Sequence, residues 1–383
     1  MRRILLVVTA VILAAGCTSN ERPAPPQQQA AARTSKAPFT IAVQGDNRGE
    51  IAPCGCAQSQ DGGLARRGTA VKQALDAGPT LLLDAGDALF SSATQRTERD
   101  DEKAALILSA MGRTRTAAMA VGDRDLLLGV DWLVAHAKES GVPLLGANLR
   151  TEGGERPFLP RKLFEVGDAK VGVFAIFGQR DGQRPVEGLV VEDPAASATA
   201  QIEALRGEGA DVIVALVHGP TAVQRQVAAL AGLDMLIPSH DGSLSLPYRI
   251  RPETAWIVGA GKLGRTLTTI RMRLGGDGEL VDEGQRDRLV EEKAGLARRL
   301  EESTHLYATT AAQQPPESRE ALAETIRVIE KRVAELDRQI AAIPAAEGRR
   351  FRVESLALHD GFEDDPELAV LVKAFEEGPA AAR

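Results

Sequence analysis

The chain has 383 residues, 46 Lys+Arg against 53 Asp+Glu for a net charge of −7, and 44% hydrophobic residues. That apolar content supports a large buried core and excludes a mostly disordered chain, while the acidic balance without a basic block excludes nucleic acid as the main partner. Three cysteines exclude a disulfide scaffold, and one short N-terminal apolar run excludes a multipass membrane protein.

Arg2 and Arg3 precede the apolar run Ile4 to Ala15, which ends in Leu13-Ala14-Ala15-Gly16-Cys17. A charged start, about a dozen apolar residues and a small-residue end describe a secretory signal, too short to span a bilayer. The ending resembles a bacterial lipobox, so residues 1–16 are expected to be a lipoprotein signal peptide and Cys17 the acylated residue. Residues 17–38, with Pro23, Pro25, Pro26 and a Gln27-Gln28-Gln29 run, read as a flexible tether. The expected location is the periplasmic face of the outer membrane.

From Phe39 to Leu274 short apolar runs alternate with longer amphipathic stretches. Thr40–Val43, Thr80–Leu83, Thr116–Val121, Val142–Gly146, Val171–Phe177, Val212–Val217, Met235–Ile237 and Trp256–Val258 read as strands buried on both faces. Leu64–Leu75 and Ala195–Leu205 have room for helices, an α/β plan. Several of the runs end in residues that hold metals. They are followed by Gly45-Asp46, Ala85-Gly86-Asp87, Gly122-Asp123, His218-Gly219 and Ser239-His240-Asp241. Ligands of α/β sheets gather at the carboxyl ends of strands, and Asp oxygen with His nitrogen suits Zn, Mn or Fe.

Taken in order, these motifs resemble those of calcineurin-like metallophosphoesterases, the secreted 5′-nucleotidase branch above all. The segments Asp46 to Cys56, Gly62-Gly63-Leu64-Ala65-Arg66-Arg67 and Gly259-Ala260-Gly261-Lys262-Leu263-Gly264-Arg265 are similar too. The resemblance covers about residues 39–275 and implies a four-layer β-sandwich flanked by helices, with two metals at one edge. Matched residue by residue, it is incomplete. Asp46 and Asp87 stand at the first and the bridging Asp, and Asp123 at an Asn. His218 and His240 stand at two of the His positions. Arg48 and Arg124 replace His, and Gly242 replaces the last ligand.

A guanidinium cannot coordinate a cation. The resemblance therefore implies one retained divalent site, for Zn, Mn or Fe, on Asp87, Asp123, His218 and His240. Near Asp46 one site is lost, with Arg48 filling the vacancy as a fixed positive charge. Arg48 and Arg124 could bind a phosphate bidentately. A phosphoester or nucleotide is the expected ligand, and hydrolysis is expected to be weak or altered. The alternative is a non-catalytic binding or redox module. It would use the Cys54-Gly55-Cys56 loop, for which a redox pair, two soft metal ligands and a loop staple stay open.

Beyond Leu274, Leu322, Ile326, Ile329, Val333, Leu336, Ile340 and Ile343 form an a/d seam, with a weaker one at Leu289, Leu296, Leu300 and Tyr307. Pro315 and Pro316 separate the two, so residues 285–345 are expected to form an antiparallel helical hairpin that could contact a protein partner. Residues 350–383 are expected to close the chain with the strand Phe351–Leu358 and a helix from Pro366 to Glu377.

Overall fold

The computed structural model describes residues 36–56, 59–179, 186–240, 246–276, 278–343 and 348–378, with the side chains of Cys56 and Ser59 left aside. Residues 1–35, with Cys17 and most of the expected tether, lie outside the described residues, as does Gly242.

Two sheets form the centre. In the larger, seven strands run in the spatial order Val281–Asp282, Arg349–Ala357, Thr266–Leu274, Phe39–Gln44, Thr80–Asp84, Ala118–Ala120 and Leu144–Leu145. In the smaller, five strands run Trp256–Ile257, Met235–Ser239, Val212–His218, Ala169–Phe177 and Arg161–Val166. Each of the eight apolar runs read from the sequence overlaps a strand of these sheets, although Thr116–Val121, Val142–Gly146 and Trp256–Val258 extend past the ends of theirs. Strand Val212–His218 is buried at every position, which is why its sequence is an uninterrupted Val/Ile/Leu/Ala run rather than an alternation.

The sheets pack face to face. Ile41, Val43, Leu81 and Leu83 of one meet Val171, Val173, Val212, Val214 and Ile237 of the other in a single hydrophobic core. The outer face of the larger sheet is covered by helices Leu64–Asp76, Asp100–Arg113, Val130–Glu139 and Pro366–Glu377. Helices Pro194–Gly207 and Thr221–Ala228 cover the outer face of the smaller one. The result is helix, sheet, sheet, helix: the expected four-layer sandwich.

The C-terminal strand is not an appendage. Arg349–Ala357 pairs antiparallel along the whole of Thr266–Leu274, from Thr266↔Ala357 to Leu274↔Arg349. The helical hairpin, Glu283–Thr310 and Pro316–Ala342, therefore leaves and rejoins the larger sheet at its edge. Ile329 and Leu336 are the buried residues of its second helix, and an Arg332–Glu292 ion pair at 2.7 Å crosses between the two helices. The C-terminal helix is tied down by Asp365. Its carboxylate accepts from the N–H groups of Glu367 and Leu368, both at 3.0 Å, and pairs with Lys72 at 2.5 Å. No helix among the described residues is long and apolar enough to cross a membrane.

Candidate metal centre

Strands Phe39–Gln44, Thr80–Asp84 and Ala118–Ala120 run parallel, as do Ala169–Phe177, Val212–His218 and Met235–Ser239. Their carboxyl ends meet at one end of the sandwich, so that end collects Asp46, Asp87 and Asp123 from the larger sheet and His218 and His240 from the smaller. Backbone bonds knit the loops together. Asp46 N–H donates to Gly86 O at 2.8 Å, Arg48 N–H to Asp87 O at 2.8 Å, and Ser239 Oγ across the sheets to Gly86 O at 3.1 Å.

Four of the residues here, Asp46, Arg48, Asp87 and His240, hold φ between 50° and 81°. A non-glycine residue pays roughly 1 kcal/mol or more for that conformation, a cost the surrounding structure must sustain. Gly122 is required for a different reason: a Cβ there would lie 2.3 Å from Asp87 Oδ1. Only a bare backbone lets the Asp87 carboxylate sit where it does.

Asp87, Asp123, His218 and His240 converge so that one donor atom from each lies within 4.8 Å of the others. His240 Nδ1 stands 3.5 Å from Asp87 Oδ2 and 3.6 Å from Asp123 Oδ1. His218 Nδ1 stands 3.6 Å from Asp87 Oδ1, and its Nε2 3.5 Å from Asp123 Oδ1. The three separations from the Nδ1 atoms are long for hydrogen bonds, but ligand atoms about 2.0–2.2 Å from a common ion are themselves about 3.3–3.6 Å apart. Among the described residues, the buried Nδ1 atoms of His218 and His240 make no hydrogen bond. Buried polar atoms without such a bond are rare, and a cation between them would satisfy both. The donor set thus fits a divalent ion.

The electrostatics agree. Asp123 first, then Asp87, raise the His240 pKa to about 9, so the carboxylates hold a proton where a cation could stand. Burial raises the Asp123 pKa, but the two imidazoles outweigh it and keep the group well below the usual carboxylate range.

Asp46 is fully buried yet outside this group. Arg48 grips it in a fork, Nε to Oδ1 and Nη2 to Oδ2, both at 2.8 Å. A second guanidinium, Arg124, donates from Nη1 to Asp87 Oδ2 and stands 3.8 Å from Asp46 Oδ1. Burial raises the Asp46 pKa while Arg48 opposes it. Every metal-site residue expected from the sequence is therefore present at this end, with five side chains of acid or imidazole type and two of arginine.

The cysteine pair lies on a small hairpin, Cys54–Cys56 against Ser59–Asp61. Cys54 carries a free thiol whose sulfur accepts from Arg265 Nε at 3.2 Å, and it is outside the four-donor group. The side chain of Cys56 lies outside the described residues.

Two residues of the site were given no role by sequence reasoning, although Asp125 stands at the acidic end of the motif run Gly122-Asp123-Arg124-Asp125. Asp125, fully buried, accepts from the backbone N–H groups of Asp87, Ala88, Leu89 and Gly122. Burial and then the Asp87 charge raise its pKa, opposed by the Gly122 and Leu89 N–H groups. Its signal was an Asp in a turn just past a strand, where such side chains bond nearby backbone. Gln224, buried on helix Thr221–Ala228, donates to Gly219 O at 2.8 Å and Ser239 O at 3.4 Å. Nothing in its helical context marked it.

This architecture, two facing sheets with an Asp/His cluster at their joined carboxyl ends, is the metallophosphoesterase fold. No family model matches the sequence. Over 222 residues the chain is 27% identical to the trifunctional nucleotide phosphoesterase protein YfkN of Bacillus subtilis strain 168, a match covering 49% of this chain and 15% of that protein. A 5′-nucleotidase precursor from Thermus thermophilus superposes with a TM-score of 0.53 at 22% identity, over 63% of this chain and 54% of that one. The NAD nucleotidase NadN of Haemophilus influenzae gives 0.54 at 14% identity, over 65% and 50%. The calcineurin-like phosphoesterase structure of YfkN gives 0.52 at 23%, over 64% and 87%. The chain thus spans a small part of the curated relative and about half of the two nucleotidase structures. It shares the fold of these phosphoesterases and nucleotidases, and over 222 residues its sequence is similar to a nucleotide phosphoesterase.

Proposed function

We propose that this chain is an exported, lipid-anchored metallophosphoesterase-family protein whose centre takes one divalent cation, Zn, Mn or Fe. The observation that carries the reading is the division of labour at the site. Asp87, Asp123, His218 and His240 converge as a donor set, while Arg48 claims the remaining carboxylate, Asp46, with a bidentate bond. When bound, such an ion supplies Lewis acidity to a phosphoryl oxygen.

The chain's own residues do the rest. Arg48 and Arg124 provide fixed positive charge beside the donors, and Arg48 is 32% exposed, open enough to meet an anionic substrate. No imidazole stands at Arg124 to protonate a leaving group at neutral pH, because a guanidinium keeps its proton. Hydrolysis of a phosphoester, a nucleotide being one candidate, is therefore weak or altered. The arginines' commitment to Asp46 and Asp87 also favours a second reading, a binding module without turnover. A phosphomonoester and phosphodiester screen separates the two. Turnover abolished by Asp87→Ala supports the enzyme, and none dependent on Asp87 leaves the binding module. The anchor is tested separately: Cys17→Ser should move the protein out of the membrane fraction, and a variant that stays there contradicts lipidation.

A further inference from the structure

We infer that Asp125 and Gln224 are positioning residues of the metal centre, each clamping the two segments that carry one pair of its donors; this rests on the one-cation reading above. The four donors lie at or just past the ends of four separate strands, and a donor set works only if its members are held within about half an ångström of the productive geometry. None of the four strand ends can supply that alone.

Asp125 spends both oxygens on the carboxylate pair. Its Oδ2 accepts from the N–H of Asp87 at 2.8 Å and of Gly122 at 2.9 Å, and its Oδ1 from Ala88 at 2.9 Å and Leu89 at 3.0 Å. One side chain thus staples the loop after Thr80–Asp84 to the turn after Ala118–Ala120, the two loops bearing Asp87 and Asp123. Asp87 is kept in its left-handed conformation by that bond, and Arg124 N–H closes the other side on Asp87 Oδ1 at 3.1 Å.

Gln224 does the same for the imidazole pair. Its Nε2 bonds Gly219 O, one residue past His218, and Ser239 O, one residue before His240. Ser239 Oγ then joins this half to the first through Gly86 O. Neither Asp125 nor Gln224 belongs to the donor group, and both are buried. A loop that needed only packing would be better served by an apolar side chain, since burying a carboxylate is costly unless its hydrogen bonds are satisfied. Here both oxygens carry two bonds each, all to the backbone of donor-bearing loops. Groups of this kind behind metal ligands are worth about 10–100-fold in metal affinity.

The test is cobalt binding by the purified full chain, with Co²⁺ titrated into metal-free wild type, Asp125→Asn and Gln224→Leu while the visible ligand-field spectrum is recorded. Asparagine offers one acceptor oxygen and turns an NH₂ toward two backbone N–H groups, so Asp125→Asn should weaken Co²⁺ by about 10–100-fold and shift the band positions. Gln224→Leu should weaken it by about tenfold, also with a changed spectrum. Urea unfolding of the metal-free forms runs alongside. A midpoint lowered without change in Co²⁺ affinity or spectrum would make both residues merely structural and overturn the inference. Should Asp125→Asn fail to fold, Gln224→Leu alone decides, because an unchanged spectrum there removes the clamp. Wild type that binds no cobalt would instead overturn the one-cation reading, and the inference with it.

Discussion

Asp46 and Arg48 stand two residues apart with positive φ, and their fork-shaped ion pair is the feature that sets this centre apart from a simple cluster of donors. Removing one partner of a buried pair leaves an uncompensated charge, which costs about 3–5 kcal/mol when both are buried and less here because Arg48 reaches solvent. Arg48→Ala is expected to lower metal-free stability by about 1–3 kcal/mol. Because the freed carboxylate can take a cation, added Zn²⁺ or Mn²⁺ should restore more stability to the variant than to wild type, read by urea melts with and without metal. Equal restoration would mean that Asp46 gains no cation when Arg48 leaves. Asp84, behind the site, gives a second prediction at this scale. Its carboxylate is fully buried, accepts from Gly86 N–H and Asn47 Nδ2, and is raised to about 7, by burial above all. The unfolded chain gives up that proton near pH 4, so between about pH 4 and 7 the folded state binds more protons and stability falls as pH rises. Asp84→Asn removes this slope. Relative to wild type, the variant should gain about 2–4 kcal/mol between pH 4.5 and pH 8 in metal-free urea unfolding. A flat difference would mean that Asp84 is ionised throughout, compensated by the buried Arg67, itself lowered to about 10 by burial.

At the scale of elements, the helical hairpin and the site should be separable. Leu336 is completely buried in the hairpin seam, and its deletion to alanine should cost about 2–5 kcal/mol there. Leu336→Ala is expected to make the hairpin helices the first point of proteolytic cleavage while metal content is unchanged. Loss of metal together with the hairpin would show that the two are one cooperative unit. The hairpin was legible in the sequence because a heptad seam is a local pattern, and so was the C-terminal helix, with Pro366 at its first turn and an acidic cap. Buried parallel strands were legible for the same reason: each is a short run of Val, Ile, Leu and Ala. Arg161–Val166 escaped because an edge strand reading Arg-Lys-Leu-Phe-Glu-Val has no such run, and Val281–Asp282 escaped because two residues are too short for any periodicity. The C-terminal strand was read in nearly the right place, but its partner, Thr266–Leu274, lies across some 80 residues of chain. Such a register is fixed by tertiary packing and leaves no local trace.

At the scale of the whole molecule, the site exists because two parallel sets of strands end at the same edge, one bringing carboxylates and the other imidazoles. That convergence could be anticipated, since each donor follows its strand directly in sequence: Asp87 after Thr80–Asp84, His218 at the end of Val212–His218, His240 after Met235–Ser239. The roles of Asp125 and Gln224 could not, because they act mainly through backbone groups of other loops, and only the folded chain brings those groups to them. On the proposed one-cation reading, the ion pairs of Arg48 and Arg124 with Asp46 and Asp87 give a specific expectation about charge: the guanidinium groups take the place of a second cation. Metal content of the purified protein, by mass spectrometry after equilibration with Zn²⁺, Mn²⁺ and Fe²⁺ in turn, tests that expectation most directly. One equivalent, lost in His218→Ala, is the predicted result. Two equivalents, or none with any of the three ions, would contradict it.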